Sequence, residues 1–140
     1  MMRTRLEDER GQSTVELAIA LPVMMIAAVI AYNALMFFGS CAVFDRAMRD
    51  AVRVYASSEA SQVSAAAEGQ VARAVQSQLD ESCTVTVAST ATSRGFTRYT
   101  ATLTYTPSVF GRPMRDAVFG VSLAKPVHTC SLTIDTFVTG

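Results

Sequence analysis

The stretch Leu17–Phe44 reads LAIALPVMMIAAVIAYNALMFFGSCAVF, and it decides how this chain is organised. Its 28 residues carry no charge, and Asn33 is the only strongly polar side chain among them. As a helix that rises about 1.5 Å per residue, the stretch would be about 42 Å long, which exceeds the ~30 Å hydrocarbon core of a bilayer. The alternative is the buried helix of a soluble core, but the rest of a 140-residue chain is too short to enclose a helix that is apolar on every side. The sequence therefore predicts one membrane-spanning helix.

The composition of the whole chain narrows the classes of protein that fit. Half of the residues are hydrophobic, and 12 Lys and Arg balance 12 Asp and Glu, which gives a formal net charge of zero. A nucleic-acid-binding protein needs a clustered excess of basic residues, so we expect no nucleic-acid partner. The chain has a single His and no recognisable nucleophile–base pair, phosphate loop or spaced ligand cluster. We therefore expect neither an enzyme nor a bound metal or cofactor.

Arginines on both sides of the apolar stretch bear on its orientation. Three of them lie in the ten residues before Gly11, and three more lie between residues 46 and 53. Basic residues beside the first span favour the cytoplasmic side, whereas Asp and Glu contribute little to this rule. We therefore expect a single-pass protein of the cell membrane with a cytoplasmic N-terminus and an extracytoplasmic C-terminal head.

The segment Arg10–Val23, RGQSTVELAIALPV, joins a short charged leader to the apolar stretch. Gly11 ends the leader, and Glu16 stands at the edge of the apolar run. A carboxylate there is costly, by a few kcal/mol if it were moved to the bilayer centre. The acid becomes useful if the chain is cut after Gly11, because the new amine of Gln12 can then pair with its own Glu16 or with that of a neighbouring subunit. The other interpretation is an ordinary anchor with a chance glycine and an interfacial acid.

The same segment resembles type IV prepilins, and its wording is similar to that of the TadE-like minor pilins (pseudopilins) of tight-adherence, or Flp, pili. The residues that carry the resemblance are Gly11, Gln12 and Glu16, followed by the apolar run through Leu21-Pro22, and the resemblance covers residues 10–55. It implies cleavage by a prepilin peptidase between Gly11 and Gln12, and an assembly role for Glu16. The implied partners are the peptidase, a major pilin, other minor pilins and the inner-membrane pilus assembly platform. Many type IV pilins have Phe where this chain has Gln12, so methylation of the new amine is not implied.

The fold that we expect is α+β and type IV pilin-like. It comprises a prepilin leader (1–11), a transmembrane helix and stalk (12–56), a second amphipathic helix (57–82) and an extracytoplasmic β head (83–140). Pro22 cannot donate a backbone hydrogen bond, which predicts a kink one turn into the span. The head should contain a small antiparallel sheet of three or four strands.

Two apolar stripes predict the helical part. Beyond the span, apolar residues keep helical spacing as far as Tyr55, while the charges from Asp45 to Asp50 are spaced for i,i+4 pairs on the solvated side. In the second helix, predicted over Glu59–Leu79 after a cap at Ser57 or Ser58, an apolar residue recurs every four positions. The two stripes consist of Phe44, Met48, Ala51, Val52 and Tyr55, and of Val63, Ala67, Val71, Val75 and Leu79.

From Cys83 onward the apolar period changes from 3.6 to 2, which indicates strands. Three segments alternate apolar residues with Thr or Ser: Cys83–Val87, Tyr99–Thr106 and His128–Asp135. A turn at 93–95 predicts a hairpin between the first two. The segment Pro107–Pro126 should be a long connection with a possible short strand at Val118–Leu123.

Cys83 and Cys130 each share the apolar phase of their strand, which predicts a disulfide inside the head. A disulfide that closes the loop between Cys83 and Cys130 would stabilise the fold by ~4 kcal/mol in the chain-entropy account. Two buried free thiols are the alternative. Cys41, at the outer end of the span, is expected to reach neither cysteine.

A second class of protein fits part of the sequence. Phe38-Gly39-Ser40-Cys41 loosely resembles a lipoprotein processing box, so the chain is alternatively a single-pass or lipid-anchored cell-surface protein that displays a small ligand-binding β domain. A 40-residue leader with so long an apolar run argues against lipid anchoring. His128 stands alone on an apolar strand face and is expected to be a structural histidine.

Overall fold

The computed structural model describes residues 4–56, 64–92, 95–115, 117–118, 121–122 and 124–135, and the side chains of 13–55, 66–92, 95–115 and 124–135. The chain divides into two compact units, Met1–Leu35 and Met36–Gly140. The helical elements are α1 (Thr4–Ala51), a π-helical turn (Val52–Ala56) and α2 (Ser64–Gln76). The strands are β1 (Cys83–Thr92), β2 (Phe96–Tyr105), β3 (Ser108–Val109), β4 (Arg112–Pro113), β5 (Ala117–Val118), β6 (Val121–Ser122) and β7 (Val127–Asp135).

The described part of the first unit, residues 4–35, lies within helix α1, which confirms the long N-terminal apolar helix predicted from the sequence. The helix begins at Thr4 and continues through Pro22, so its backbone includes residues 4–11 of the predicted leader. It holds no amphipathic stripe in this part, because consecutive residues such as Val23 to Ile26 are all apolar and all exposed. Residues 23–26 point to four sides of a helix, since each residue turns by about 100°.

The second unit contains an antiparallel sheet in the order β1-β2-β7. Cys83 pairs with Tyr105 at one end of the β1–β2 ladder, and Thr92 pairs with Phe96 at the other. The β2–β7 ladder runs from Phe96 opposite Asp135 to Thr104 opposite Val127. The alternation predicted for all three strands is therefore realised, and the sheet has three strands.

One face of the central strand makes the floor of the hydrophobic core. Successive strand residues point to opposite faces, so every second residue of β2 from Tyr99 to Tyr105 is buried while the threonines between them face the other way. Two helices cover this floor, which confirms the α+β layout predicted from the sequence. Their fully or almost fully buried residues are Phe44, Ala47, Met48, Ala51 and Val52 from α1 and the π-helical turn, and Ala67, Val71 and Val75 from α2.

Side chains of α2 also cover the outer edge of β1. The Gln76 amide donates through Nε2 to the Cys83 carbonyl (2.8 Å) and accepts through Oε1 from the Val85 N–H (2.9 Å). Glu68 accepts hydrogen bonds from both the N–H and the hydroxyl of Ser89. Unpaired backbone groups on an edge strand invite pairing with other chains. Helix α2 therefore satisfies several of these groups as well as supplying apolar packing.

The connection between β2 and β7 contains two short hairpins, whereas the sequence predicted one short strand at Val118–Leu123. β3 pairs with β4, and β5 pairs with β6. Phe110 and Gly111, between β3 and β4, have φ angles of +50° and +74°. Positive φ at both central residues of a two-residue loop is the geometry of a type I′ turn. The Met114 N–H closes the base of this hairpin on the Pro107 carbonyl, at 2.9 Å.

The ends of α2 differ in part from the prediction of Glu59–Leu79. The helix spans Ser64–Gln76, and residues 77–79 form a turn. The predicted caps at Ser57 and Ser58 and the start of the predicted stripe at Val63 lie outside the described residues. Ser93 and Arg94 of the predicted turn lie outside them too, and the adjoining Gly95 has a φ of +75°.

Candidate functional site

The apolar surface of α1 is the most extensive candidate site in the chain. Eleven large apolar side chains between Val15 and Leu35 are each 51–71% exposed. Such a surface is unfavourable in water and favourable in hydrocarbon. Over Ser13–Tyr55, α1 is long and apolar enough to cross a membrane, with a mean hydropathy of 2.3 in its most apolar window.

Two polar side chains on α1 are satisfied within the helix. The Asn33 Nδ2 donates to the Val29 carbonyl and the Ser40 hydroxyl donates to the Met36 carbonyl, both at 2.9 Å. Bonds of this i→i−4 kind let a polar side chain enter hydrocarbon without an unsatisfied donor. Neither residue therefore prevents α1 from spanning a membrane.

Glu16 is the exception on this surface. Its side chain is exposed, and it has no hydrogen bond or ion pair with any residue that the structure describes. Gln12 lies one helical turn before it, since residues four apart in an α-helix are stacked neighbours. The backbones of Gly11 and Gln12 are helical, and their side chains lie outside the described part. The structure thus brings positions 12 and 16 to one side of α1.

A polar cluster in the second unit joins α1 to the edge strand β7. His128 Nε2 lies 3.0 Å from Asp45 Oδ1, and each of these two side chains is about one third exposed (34% and 35%). The ring of His128 also meets Phe44 edge-on, with centroids 5.9 Å apart. His128 thus contacts Asp45 and Phe44 of α1, whereas the sequence placed it alone on its strand face and paired Asp45 with Arg49. No local pattern signals a contact between residues 83 positions apart.

Cys130 belongs to the same cluster. Burial raises the pKa of its thiol, and the neighbouring Asp45 carboxylate raises it further by its charge and by a hydrogen bond, while Arg49 acts in the opposite direction. A thiol with a raised pKa is a weak nucleophile at neutral pH. The arrangement therefore fits a structural role for Cys130.

The disulfide expected between Cys83 and Cys130 is not present in this structure, in which all three cysteines are free. The two lie on the outer strands β1 and β7 with β2 between them, opposite Tyr105 and Ala101 respectively. Strand spacing and residue rise put their Cα atoms about 16 Å apart, and a disulfide allows at most about 7 Å. A shared apolar phase reports the face of a strand, and it says nothing about the order of strands.

Cys41 also differs from its expected isolation. Its side chain packs against the core cluster that contains Cys83. The helix position of Cys41, one turn after Phe37, explains this contact, because the ring of Phe37 lies 5.9 Å from that of Tyr105, the cross-strand partner of Cys83. The sequence missed this proximity because it gave no means to place α1 on the sheet.

An open cleft lies between the π-helical turn and α2. It has a volume of about 320 Å³ and is lined by Tyr55, Gln70, Arg73 and Ala74. These residues bring together no pair of groups suited to acid–base or nucleophilic chemistry. The cleft therefore assigns no activity.

Comparison with known proteins assigns no family to this chain. No protein-family model, no curated protein and no solved structure matches it.

Proposed function

We propose that this chain is a minor pilin, or pseudopilin, of a tight-adherence pilus, anchored in the cell membrane by α1 and structural in function. The observation that carries the proposal is a continuous apolar helix over Ser13–Tyr55 with an exposed acid, Glu16, near the start of that stretch and a small α+β head after it. The segment Gly11–Pro22 supplies the resemblance to prepilins. The layout of long helix, second helix and antiparallel sheet supports a pilin-like fold.

The proposed membrane anchoring follows from the exposure of the apolar side chains of α1. Eleven large apolar side chains of α1 from Val15 to Leu35 are exposed and covered by none of the described residues of their own unit, so we expect a bilayer or the apolar helices of other subunits to cover them. A pilin helix occupies both environments in succession. It lies in the membrane before assembly and packs into a bundle of helices afterwards. The head, with its own core, folds in either setting.

Glu16 would set the axial position of α1 relative to neighbouring helices when the helix moves from the membrane into the bundle. Cleavage between Gly11 and Gln12 by a prepilin peptidase creates an amine one helical turn from the acid. An unpaired carboxylate in a bundle of apolar helices is destabilising by several kcal/mol, whereas one that faces a neighbour's amine is compensated. Glu16 is exposed and has no partner among the described residues, which is what such a role requires. Its partners would be the major pilin, other minor pilins and the assembly platform.

Lipid anchoring at Cys41 receives no support from the structure. Cleavage before Cys41 would remove most of α1, including Phe37, whose ring contacts Tyr105. The Cys41 side chain itself packs against the core, where an acyl chain would have to displace its neighbours. The pilin proposal keeps this part of α1 intact.

Glu16→Gln tests the proposal, because it removes the charge at nearly constant size. We expect normal cleavage and normal membrane abundance, with less recovery of partner pilins when the cleaved chain is purified from the envelope. Asp50→Asn is the matched control, since it neutralises another exposed acid of α1 that lies beyond the span.

The comparison of the two variants decides the result. Loss of partner pilins with Glu16→Gln alone supports the assembly role. Equal recovery with wild type and both variants would show that Glu16 is a passive interfacial residue, and the role proposed for it would be wrong.

A further inference from the structure

The hairpin of β3 and β4 presents a bare aromatic ring. Phe110, at its tip, is 88% exposed, the highest exposure among the large hydrophobic residues that the structure describes. Met114, at the base of the hairpin, is 38% exposed. Phe110 contributes almost nothing to the core of its own chain.

The backbone at this ring is also unfavourable. Phe110 has a φ of +50°, in the left-handed region that bulky residues avoid. A type I′ turn prefers Asn, Asp or Gly at that position. The fold therefore carries both an exposed ring and a strained backbone at Phe110, and neither has an explanation within the described residues.

The position of the hairpin in the head suggests an explanation. β3 begins three residues after Tyr105, the last residue of β2. The ring of Tyr105 lies 5.9 Å from that of Phe37, whereas Phe44 meets His128, which pairs with Leu103. Moving from Phe44 back to Phe37 along α1 thus follows β2 from Leu103 to Tyr105, toward the hairpin. The base of the hairpin therefore lies at the end of the head where Phe37 packs against Tyr105.

For a span counted from Leu17, the bilayer surface falls at the level of the Phe37–Tyr105 contact. Twenty residues of helix span about 30 Å, the thickness of the hydrocarbon core, so a span that starts at Leu17, next to Glu16, ends at Met36. Phe37 is the next residue, and Asp45, about 12 Å further along the helix, is the first charge. The Phe37–Tyr105 contact therefore lies at the boundary between hydrocarbon and headgroups. A two-residue strand keeps the hairpin tip within about 10 Å of its base.

Basic and acidic residues lie together near the hairpin. Arg112 and Arg115 are exposed, and Asp116 follows them in the sequence. Asp80 and Glu81, in the turn before β1, lie at the same end of the sheet and reduce the net charge there. Aromatic rings settle at the membrane interface without a strong charge requirement, so Phe110 should insert with or without anionic lipid.

We infer that the β3–β4 hairpin docks on the bilayer surface and inserts Phe110 among the lipid headgroups and upper acyl chains, as a second contact of the head with the membrane beside α1. This inference rests on the membrane anchoring proposed above. It explains why a bulky side chain occupies a position that favours glycine.

Tryptophan fluorescence tests the docking, because the natural chain contains no Trp. Three single-Trp variants of the full chain are placed in phosphatidylcholine vesicles, with and without phosphatidylglycerol, that contain lipid brominated near the headgroup end of its acyl chains. Phe110→Trp reports on the tip. Leu35→Trp, at a position 71% exposed on α1, reports on the anchor, and Thr90→Trp, exposed near the opposite end of β1, is the control outside the membrane.

We expect bromolipid to quench Phe110→Trp within about twofold of Leu35→Trp, since both rings would reach the acyl chains, and to leave Thr90→Trp unquenched. Quenching of Leu35→Trp without quenching of Phe110→Trp would overturn the docking and leave the anchor standing. That outcome would also follow if the tip bound a protein instead. No quenching of Leu35→Trp would overturn the anchor and the docking together.

Discussion

The carboxylate of Asp45 serves two side chains of β7 at once. It pairs with the imidazole of His128 and lies beside the thiol of Cys130. A half-buried carboxylate of this kind stabilises hydrogen-bond donors and opposes any neighbouring negative charge. The same group therefore connects the strand to the helix and, after burial, is the next cause of the raised pKa of the Cys130 thiol.

Asp45→Asn should make Cys130 more reactive. The carboxylate raises the pKa of the thiol, so a neutral amide should lower that pKa and increase the thiolate fraction at a given pH. The rate of Cys130 alkylation by iodoacetamide, followed by peptide mass spectrometry, should rise along a pH profile displaced to lower pH. His128→Ala removes the same pair but keeps the carboxylate, so its profile should not move to lower pH. Equal displacement in both variants would assign the effect to lost packing.

Phe110→Gly should stabilise the head. Relief of the left-handed backbone contributes about 1–2 kcal/mol, part of which is offset by the greater freedom of glycine in the unfolded chain, and we expect a net gain of about 1 kcal/mol. Thermal unfolding in detergent, followed by the near-ultraviolet circular dichroism of the tyrosines, measures the change. Phe110→Ala keeps the backbone strain and should leave the stability nearly unchanged. A gain of equal size for Ala and Gly would contradict the strain argument.

At the scale of the elements, the two outer strands of the sheet are treated differently. The outer edge of β1 donates and accepts hydrogen bonds with Gln76 and Glu68 of α2. The contact of β7 with a helix is different, because it joins two side chains, those of His128 and Asp45, and no backbone group of the strand. Helix α2 is therefore bound to the sheet by polar bonds as well as by its stripe of Ala67, Val71 and Val75.

Gln76→Ala should destabilise the head by about 2 kcal/mol, because it leaves the Val85 N–H and the Cys83 carbonyl without their partner. The free energy of unfolding in denaturant measures the loss. Gln78→Ala removes an exposed glutamine from the turn just after α2 and should change the stability by less than about 0.5 kcal/mol. Similar losses for the two variants would show that the Gln76 bonds are not stabilising.

Several elements follow from the sequence because their signals are local. Alternation of apolar residues with threonine marks β1, β2 and β7, and the run before Phe44 marks α1. The stripe through Phe44, Met48, Ala51 and Val52 was predicted from helical spacing, and these four residues are buried in the core of the head.

Other features depend on how elements are arranged. The order β1-β2-β7 separates Cys83 from Cys130, and strand phase alone does not contain that order. The position of α1 on the sheet brings Asp45 to His128 and Cys41 to the core, and no residue pattern near either site encodes it. The type I′ turn at Phe110-Gly111 was missed because its first residue is not one that such turns favour.

At the scale of the whole molecule, the chain combines one unit with an apolar surface exposed on every side and one unit with its own core. The exposed apolar surface of the first unit is unfavourable in water. The core of the second unit is buried by its own residues and needs no membrane. The proposed pilin function would depend on this division, because α1 would move from lipid to protein surroundings while the head stays folded.

The most direct test of the proposal is the mass of the chain isolated from the membrane of its native host. We expect a mature protein that begins at Gln12, and the same N-terminus for Gly39→Leu, whose mass should differ from that of the wild type only by the substituted side chain, since a Cβ at Gly39 would meet no other atom within 4 Å. Gly11→Leu should remain at the full length of 140 residues, because a bulky side chain would occupy the position that the peptidase reads as glycine. A wild-type chain that begins at Met1 or at Cys41 would contradict the pilin assignment.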